Sequence, residues 1–156
     1  TLGTHSTTWG IADPRDRGRA LLSARLDTGS YSTSCNSERT RVVEGRPCGH
    51  LLDPRSGGFA RDFGSTTVWA LDPARADAYS TATFVMGPDS ALAWAAGRDD
   101  VQLIVIEVLG EVLRARITPG LNDRVRSVAA GVQVEIYEAV RPDARAPQVE
   151  GKALSR

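Results

Sequence analysis

Residues 72–97, DPARADAYSTATFVMGPDSALAWAAG, constrain the fold more than any other stretch. Asp72 is placed to act as an N-cap, and Pro73 suits the first helical position, where its missing N–H costs nothing. Ala74, Ala78, Ala82 and Val85 recur at helical spacing, and Gly87 ends the segment as a C-cap glycine. Pro88 to Ala96 offers a second short helix, closed by Gly97. These two adjacent helices interrupt a chain that otherwise reads as strand. Strands, then a helical pair, then strands predict an α+β fold with a mostly antiparallel sheet, not alternating βαβ units.

The strand segments follow from period-two patterning and turn residues. WGIADPRDRG, 9–18, reads as a strand ending in an Asp13-Pro14 turn and a charged loop. In 19–34, Leu22, Ala24 and Leu26 alternate with Ser23 and Arg25, and Thr28-Gly29 divides the stretch into two extended pieces. RTRVVEGRPCGHLL predicts a hairpin about Glu44-Gly45, with Val43 facing Arg46 and Arg41 facing Cys48. GSTTVWALD, 64–72, is rich in β-branched and aromatic residues, as strands are. Residues 101–118 read as two strands about a turn at Leu109-Gly110, and Val132, Val134 and Ile136 share one face of a further strand. One domain over 1–140 and a flexible, Pro-rich tail over 141–156 are expected.

Composition excludes some functions. The 156 residues fit one ordinary domain, and 19 basic against 19 acidic side chains give no net charge, so no nucleic-acid partner is expected. No apolar run reaches the roughly 18–20 residues of a membrane span. TLGTHSTTWG has neither the basic nor the apolar region of a signal peptide; the chain opens without Met, which is consistent with removal of a leader or a longer N-terminal portion. The hairpin register separates Cys48 from Cys35, so two buried free thiols are expected rather than a disulfide.

Three constellations carry possible chemistry. Asp77 and Thr81 stand four apart on one helical face and offer hard oxygens to a cation such as Mg²⁺. By spacing alone they equally fit a solvated Asp and a Thr bonded back to the preceding turn. His50 is able to move protons near neutral pH, or to serve as a hydrogen-bonded structural residue; His5 is read as incidental. DPRSGG, 53–58, is strong turn chemistry: it fits a plain surface turn, or one whose glycines let backbone N–H groups approach a ligand closely and whose Arg55 could meet a phosphate. Cys48 and His50, two apart on a strand, would share a face. There is no G-x-S-x-G elbow, no G-x-G-x-x-G, no Walker loop and no cysteine pair at zinc spacing.

Taken in order, these stretches resemble the ApbE family, the FAD:protein FMN transferases. That family has a Ser-Thr-Ser-Gly turn, a hairpin, a His-x-x-Asp-Pro-x-Thr/Ser-Gly motif and then an Asp-Ala-x-Ser-Thr helix. Here they correspond to YSTSC, GHLLDPRSG and ADAYSTATFVMG, with WGIADP similar to the strand before them. The resemblance covers about residues 9 to 118. It implies an FAD-binding α+β fold and Mg²⁺-dependent transfer of FMN from FAD to a Thr or Ser hydroxyl of a target flavoprotein, with release of AMP. It implies metal ligation by Asp77 and Thr81, a catalytic His50, and flavin or diphosphate contacts from Ser34, His50, Asp53, Pro54, Arg55 and Gly57. By resemblance the location is extracytoplasmic, while the lack of a visible signal peptide fits the cytoplasm. Two departures stand out: Cys35 replaces the family's Gly, and family members are about twice as long. The chain is thus expected to be a fragment, one half of a split protein or a shortened relative with a different job, and as a transferase it is expected to act with a companion N-terminal chain or as a homodimer. The alternatives are a non-catalytic flavin- or nucleotide-binding module and a repurposed enzyme acting on another small-molecule substrate.

Overall fold

Asp72 caps the first helix as its sequence predicts: its carboxylate accepts the Ala74 N–H at 2.8 Å, and Pro73 takes the first helical position. In the computed structural model, which describes residues 6–36, 41–43 and 45–138, this helix, α1, is Pro73–Met86 and α2 is Pro88–Ala96. Gly87 ends one and begins the other at φ 82°, where a side chain would be strained.

The strands among the described residues are β1 (Thr7–Asp13), β2 (Asp16–Leu26), β3 (Ser30–Cys35), β4 (Arg41–Val43), β5 (Arg46–Cys48), β6 (Gly64–Ala70), β7 (Val101–Leu109), β8 (Val112–Ile117), β9 (Val125–Ser127) and β10 (Gln133–Ile136). They form a five-stranded sheet β10-β8-β7-β6-β3, a three-stranded sheet β1-β2-β9 and the hairpin β4-β5. Every pairing is antiparallel except β8 with β10. The fold is α+β, as expected.

The five-stranded sheet is the middle layer. Ile104, Ile106, Leu113, Ala115 and Ile117 join Leu21, Leu22 and Val125 of the smaller sheet in one core. Val68, Val101, Leu103 and Val105 meet Ala91, Leu92 and Ala95 of α2 in the other. β7 is therefore buried on both faces, which explains the apolar run Leu103–Ile106 at its centre. α1 lies over β3 and β6, with Phe84 stacked on Phe63 at 4.8 Å between ring centroids.

Several local expectations change. The 9–18 segment has no charged loop beyond a short turn, because β2 begins at Asp16. Asp13, buried at the end of β1, accepts the Arg15 N–H at 2.9 Å and grips its guanidinium, which tightens the reversal. The β7–β8 turn falls at Gly110-Glu111, one residue later than expected, since Leu109 pairs with Val112 and Gly110 takes φ 63°. The Val43–Arg46 and Arg41–Cys48 pairs form as expected. Ala74, Ala78 and Ala82 are exposed, and the buried residues of α1 are Ala76, Ser80, Thr83 and Phe84. The sheet beneath α1 presents hydroxyls as well as apolar atoms, so the helix buries its Ser/Thr side. Val132 is buried, whereas Ile136 is exposed at the sheet edge. Both cysteines are half-buried thiols rather than buried ones, and neither is in a disulfide. β5 ends at Cys48, so His50 lies beyond it and the two do not share a strand face. Glu44, His5 and the 141–156 tail lie outside the described residues.

Gly64 is required where β6 starts. It takes φ 134°, and a Cβ there would collide with the Ile106 carbonyl oxygen. Gly64→Ala is expected to destabilise the fold by about 2–3 kcal/mol. A urea midpoint equal to that of the parent chain would contradict this account.

Candidate functional site

β3 alternates its side chains between two faces. Tyr31 packs into the core beneath the sheet, and Thr33 bonds Thr67 at 2.8 Å. Ser32 and Ser34 point the other way, at α1. Asp77, Ser80 and Thr81, spaced i, i+3 and i+4, present one face of the helix to them. Ser32 Oγ donates to Asp77 Oδ1 at 3.1 Å. Ser80 Oγ donates to the Asp77 carbonyl at 2.9 Å, which leaves its oxygen to accept from Ser34 Oγ at 2.9 Å. Ser34 also lies 3.3 Å from Thr81 Oγ1, and Ser32 lies 3.3 Å from Ser80 Oγ.

The result is a lip of five oxygen-bearing side chains. Ser80 is its buried floor, Ser32 and Ser34 are half-buried, and Asp77 and Thr81 open to solvent. Hydroxyls beneath hold the helix in register: Thr66 Oγ1 donates to the Ser80 carbonyl at 2.9 Å, and Thr83 Oγ1 donates to Thr66 Oγ1 at 3.4 Å. The structure thus brings together Asp77, Thr81 and Ser34. It adds Ser32 and Ser80, which sequence reasoning missed. Their signal was present: two serines at strand spacing, and a serine one turn beyond Asp77.

The DPRSGG segment is a self-braced turn. The Asp53 carbonyl accepts the N–H groups of Ser56 (3.2 Å) and Gly57 (2.8 Å), and Gly57 takes φ 70°. The Asp53 carboxylate accepts the Arg55 N–H at 2.9 Å and its Nη2 at 2.8 Å. Arg55 Nη2 also donates to the Val85 carbonyl at 3.0 Å, satisfying an otherwise open carbonyl in the last turn of α1. Arg55 therefore docks the loop on the helix, and its exposed edge still faces solvent. Leu52 and Pro54 then border an apolar groove of about 430 Å³ with Ala78, Ala82, Val85 and Met86, ending at Thr81.

The Arg55 hydrogen bonds hold the Asp53 carboxyl below the usual carboxylate range. A depressed folded value means the bracing is present above the ordinary pKa of about 3.9 and is lost as pH falls through the folded value. Arg55→Gln is expected to return the Asp53 titration to the ordinary range, read by carboxyl ¹³C shifts. An unchanged titration would show that another group sets it.

His50 is exposed and bonds to no described residue. Its position is nevertheless constrained. Gly49 abuts the Asn36 side chain so closely that a Cβ would overlap it. That contact ties the residue before His50 to the residue two past Ser34, at the end of β3.

Among the described residues no group of three or more His, Cys, Asp or Glu is placed to hold a metal ion. The lip supplies one carboxylate and several hydroxyls, all hard oxygens. That set fits Mg²⁺, which keeps several waters and completes its shell with phosphate oxygens, better than a cation that needs an all-protein cage.

Residues 1–105 match the model of the ApbE family. A protein of Klebsiella pneumoniae named FAD:protein FMN transferase is 30% identical over 126 residues, covering 76% of this chain and 39% of that protein. The crystal structure of the ApbE protein from Thermotoga maritima superposes with a TM-score of 0.60 at 34% identity, over 69% of this chain and 35% of that one. The apo Pseudomonas stutzeri flavinyl transferase ApbE gives 0.58 at 25% identity, over 78% and 37%. The chain thus spans well under half the length of each of these relatives.

Proposed function

The chain belongs to the ApbE family, and from that premise we propose that it forms one side of an FAD:protein FMN transferase site. The observation that carries this reading is the five-residue lip in which Asp77 and Thr81 open to solvent above Ser32, Ser34 and Ser80. Asp77 and Thr81 would hold Mg²⁺ against the FAD diphosphate, and the ion would supply charge neutralisation there. Ser34 holds Thr81 in place, and Ser32 orients the Asp77 carboxylate by donating to it. The Asp53–Gly57 turn, docked by Arg55, borders the flavin-phosphate side, with Pro54 at its apolar wall.

His50 is assigned as the base. It takes the proton of an acceptor Thr or Ser hydroxyl while that oxygen bonds to the FMN phosphorus. The phosphorus–oxygen bond to the AMP phosphate breaks, and AMP departs with the pair. An exposed imidazole, which is able to accept a proton, suits this role. Because the chain spans well under half of its relatives' length, the site is proposed to be completed by a second copy or a companion chain.

The test is direct. The chain, alone and with any co-purifying partner, is incubated with FAD, Mg²⁺ and a Thr-containing target peptide. AMP release and a flavinylated peptide mass are expected together; neither appearing in any combination would defeat the proposal. FAD binding without transfer would instead favour a non-catalytic flavin module.

A further inference from the structure

β3 ends the five-stranded sheet, and among the described residues no strand pairs with its outer side. Exposed edges normally carry protection: charges, proline, bulges or a covering element. The other outer strands of the two larger sheets have it: β9 is three residues long and carries Arg126. β1 has register shifts around Ala12, carries Asp13 and is followed by Pro14. β10 is four residues long and carries Glu135. β3 has none of these. Ser30–Cys35 contains no charge and no proline, and it pairs with β6 through six successive residue pairs without a shift. It is an uncharged strand in unbroken register, small-chained apart from Tyr31, which is a form suited to receiving another strand.

There is room beside it. A cleft of about 360 Å³ separates Tyr31–Thr33 from Gly10–Pro14 on β1, and a second of about 260 Å³ continues past Ser30 to Trp9. The edge also runs along the lip, since Ser32 and Ser34 are its helix-facing residues. A chain added to this edge would lie about 4.8 Å away, with alternate side chains on the helix face. One of those side chains would then stand beside Ser32 or Ser34, within reach of Asp77 and Thr81.

We propose that the outer edge of β3 docks the acceptor segment of a target protein as an added strand, so that its Thr or Ser hydroxyl enters the lip from the row of Ser32 and Ser34. This rests on the transferase reading above and adds the partner's conformation and register. Main-chain hydrogen bonds supply the affinity. The residues flanking the acceptor point away from the lip, toward the Tyr31 side and its cleft.

The experiment screens ten-residue peptides with a fixed central Thr and randomised flanks against the whole chain. The strongest binder is then N-methylated at one amide at a time. Loss of binding of about tenfold or more is expected at alternate amides only, with slowed hydrogen exchange confined to β3. Failure to retain any peptide, equal sensitivity at successive amides, or protection elsewhere would each overturn the proposal. So would a dimer in solution whose β3 amides are protected without peptide, because a second copy would then occupy the edge. Binding is read without turnover, so the two readings separate. Alternate-amide binding without FMN transfer would leave the edge standing and remove the transferase. Transfer to a peptide with uniform N-methyl sensitivity would do the reverse.

Discussion

Asp77→Asn is expected to lower FMN transfer by about a thousandfold or more, with little change in the unfolding midpoint. The side chain is exposed, and an Asn oxygen still accepts from Ser32 as Asp77 Oδ1 does. Shape and hydrogen bonding therefore persist, and only the charge is removed. That charge is the only one among the five lip residues, the other four being neutral hydroxyls. Without it no anionic ligand remains there to hold a divalent cation against a diphosphate. Thr81→Ala removes one neutral oxygen and should cost far less, on the order of ten- to a hundredfold. The comparison of AMP release by the two variants is the measurement. If Asp77→Asn keeps activity within about tenfold of the parent, or if Thr81→Ala proves the more damaging, the carboxylate is not the principal ligand.

Much of this site was legible before any coordinates. Asp72-Pro73 and Gly87-Pro88 fix both helices because each residue has one dominant backbone role there. Asp77 and Thr81 share a face by helical geometry alone. The β4–β5 hairpin has the register its sequence predicts, since a tight reversal leaves little freedom in the pairing. What the sequence concealed depends on partners distant in the chain. Ser32 and Ser80 join the lip only because β3 lies under α1, across 48 residues of chain. The alanine row of α1 looks like a core face by periodicity. It is exposed because Thr66 and its neighbours on β6 offer hydroxyls that Ser80 and Thr83 satisfy instead. β9 is three residues long, too short for a period to show. β10 joins β8 in parallel through a crossover that no local pattern encodes.

The largest stability effect is expected away from the lip, at Glu107. This carboxylate is buried on β7 and holds two arginines of β8: Arg114 Nε and Nη2 at 3.0 Å each, and Arg116 Nε at 2.8 Å. Arg116 is itself largely buried and reaches onward to Asp89 in the first turn of α2 at 2.7 Å, while its Nη2 finds no partner among the described residues. The network joins the middle sheet to the start of the helix above it. Removing the carboxylate leaves a guanidinium buried with only an exposed Asp89 to balance it. Glu107→Ala is therefore expected to cost about 3–5 kcal/mol in urea unfolding, more than a cavity of that size would explain. Desolvation, rather than lost attraction, is the source of that cost. The pair replaced together should then recover most of the loss, because Glu107→Leu with Arg116→Leu leaves no charge buried: the partners it strands, Arg114 and Asp89, both reach solvent. A double variant as unstable as Glu107→Ala would show that the network contributes net attraction, and that the junction of sheet and α2 depends on its charges.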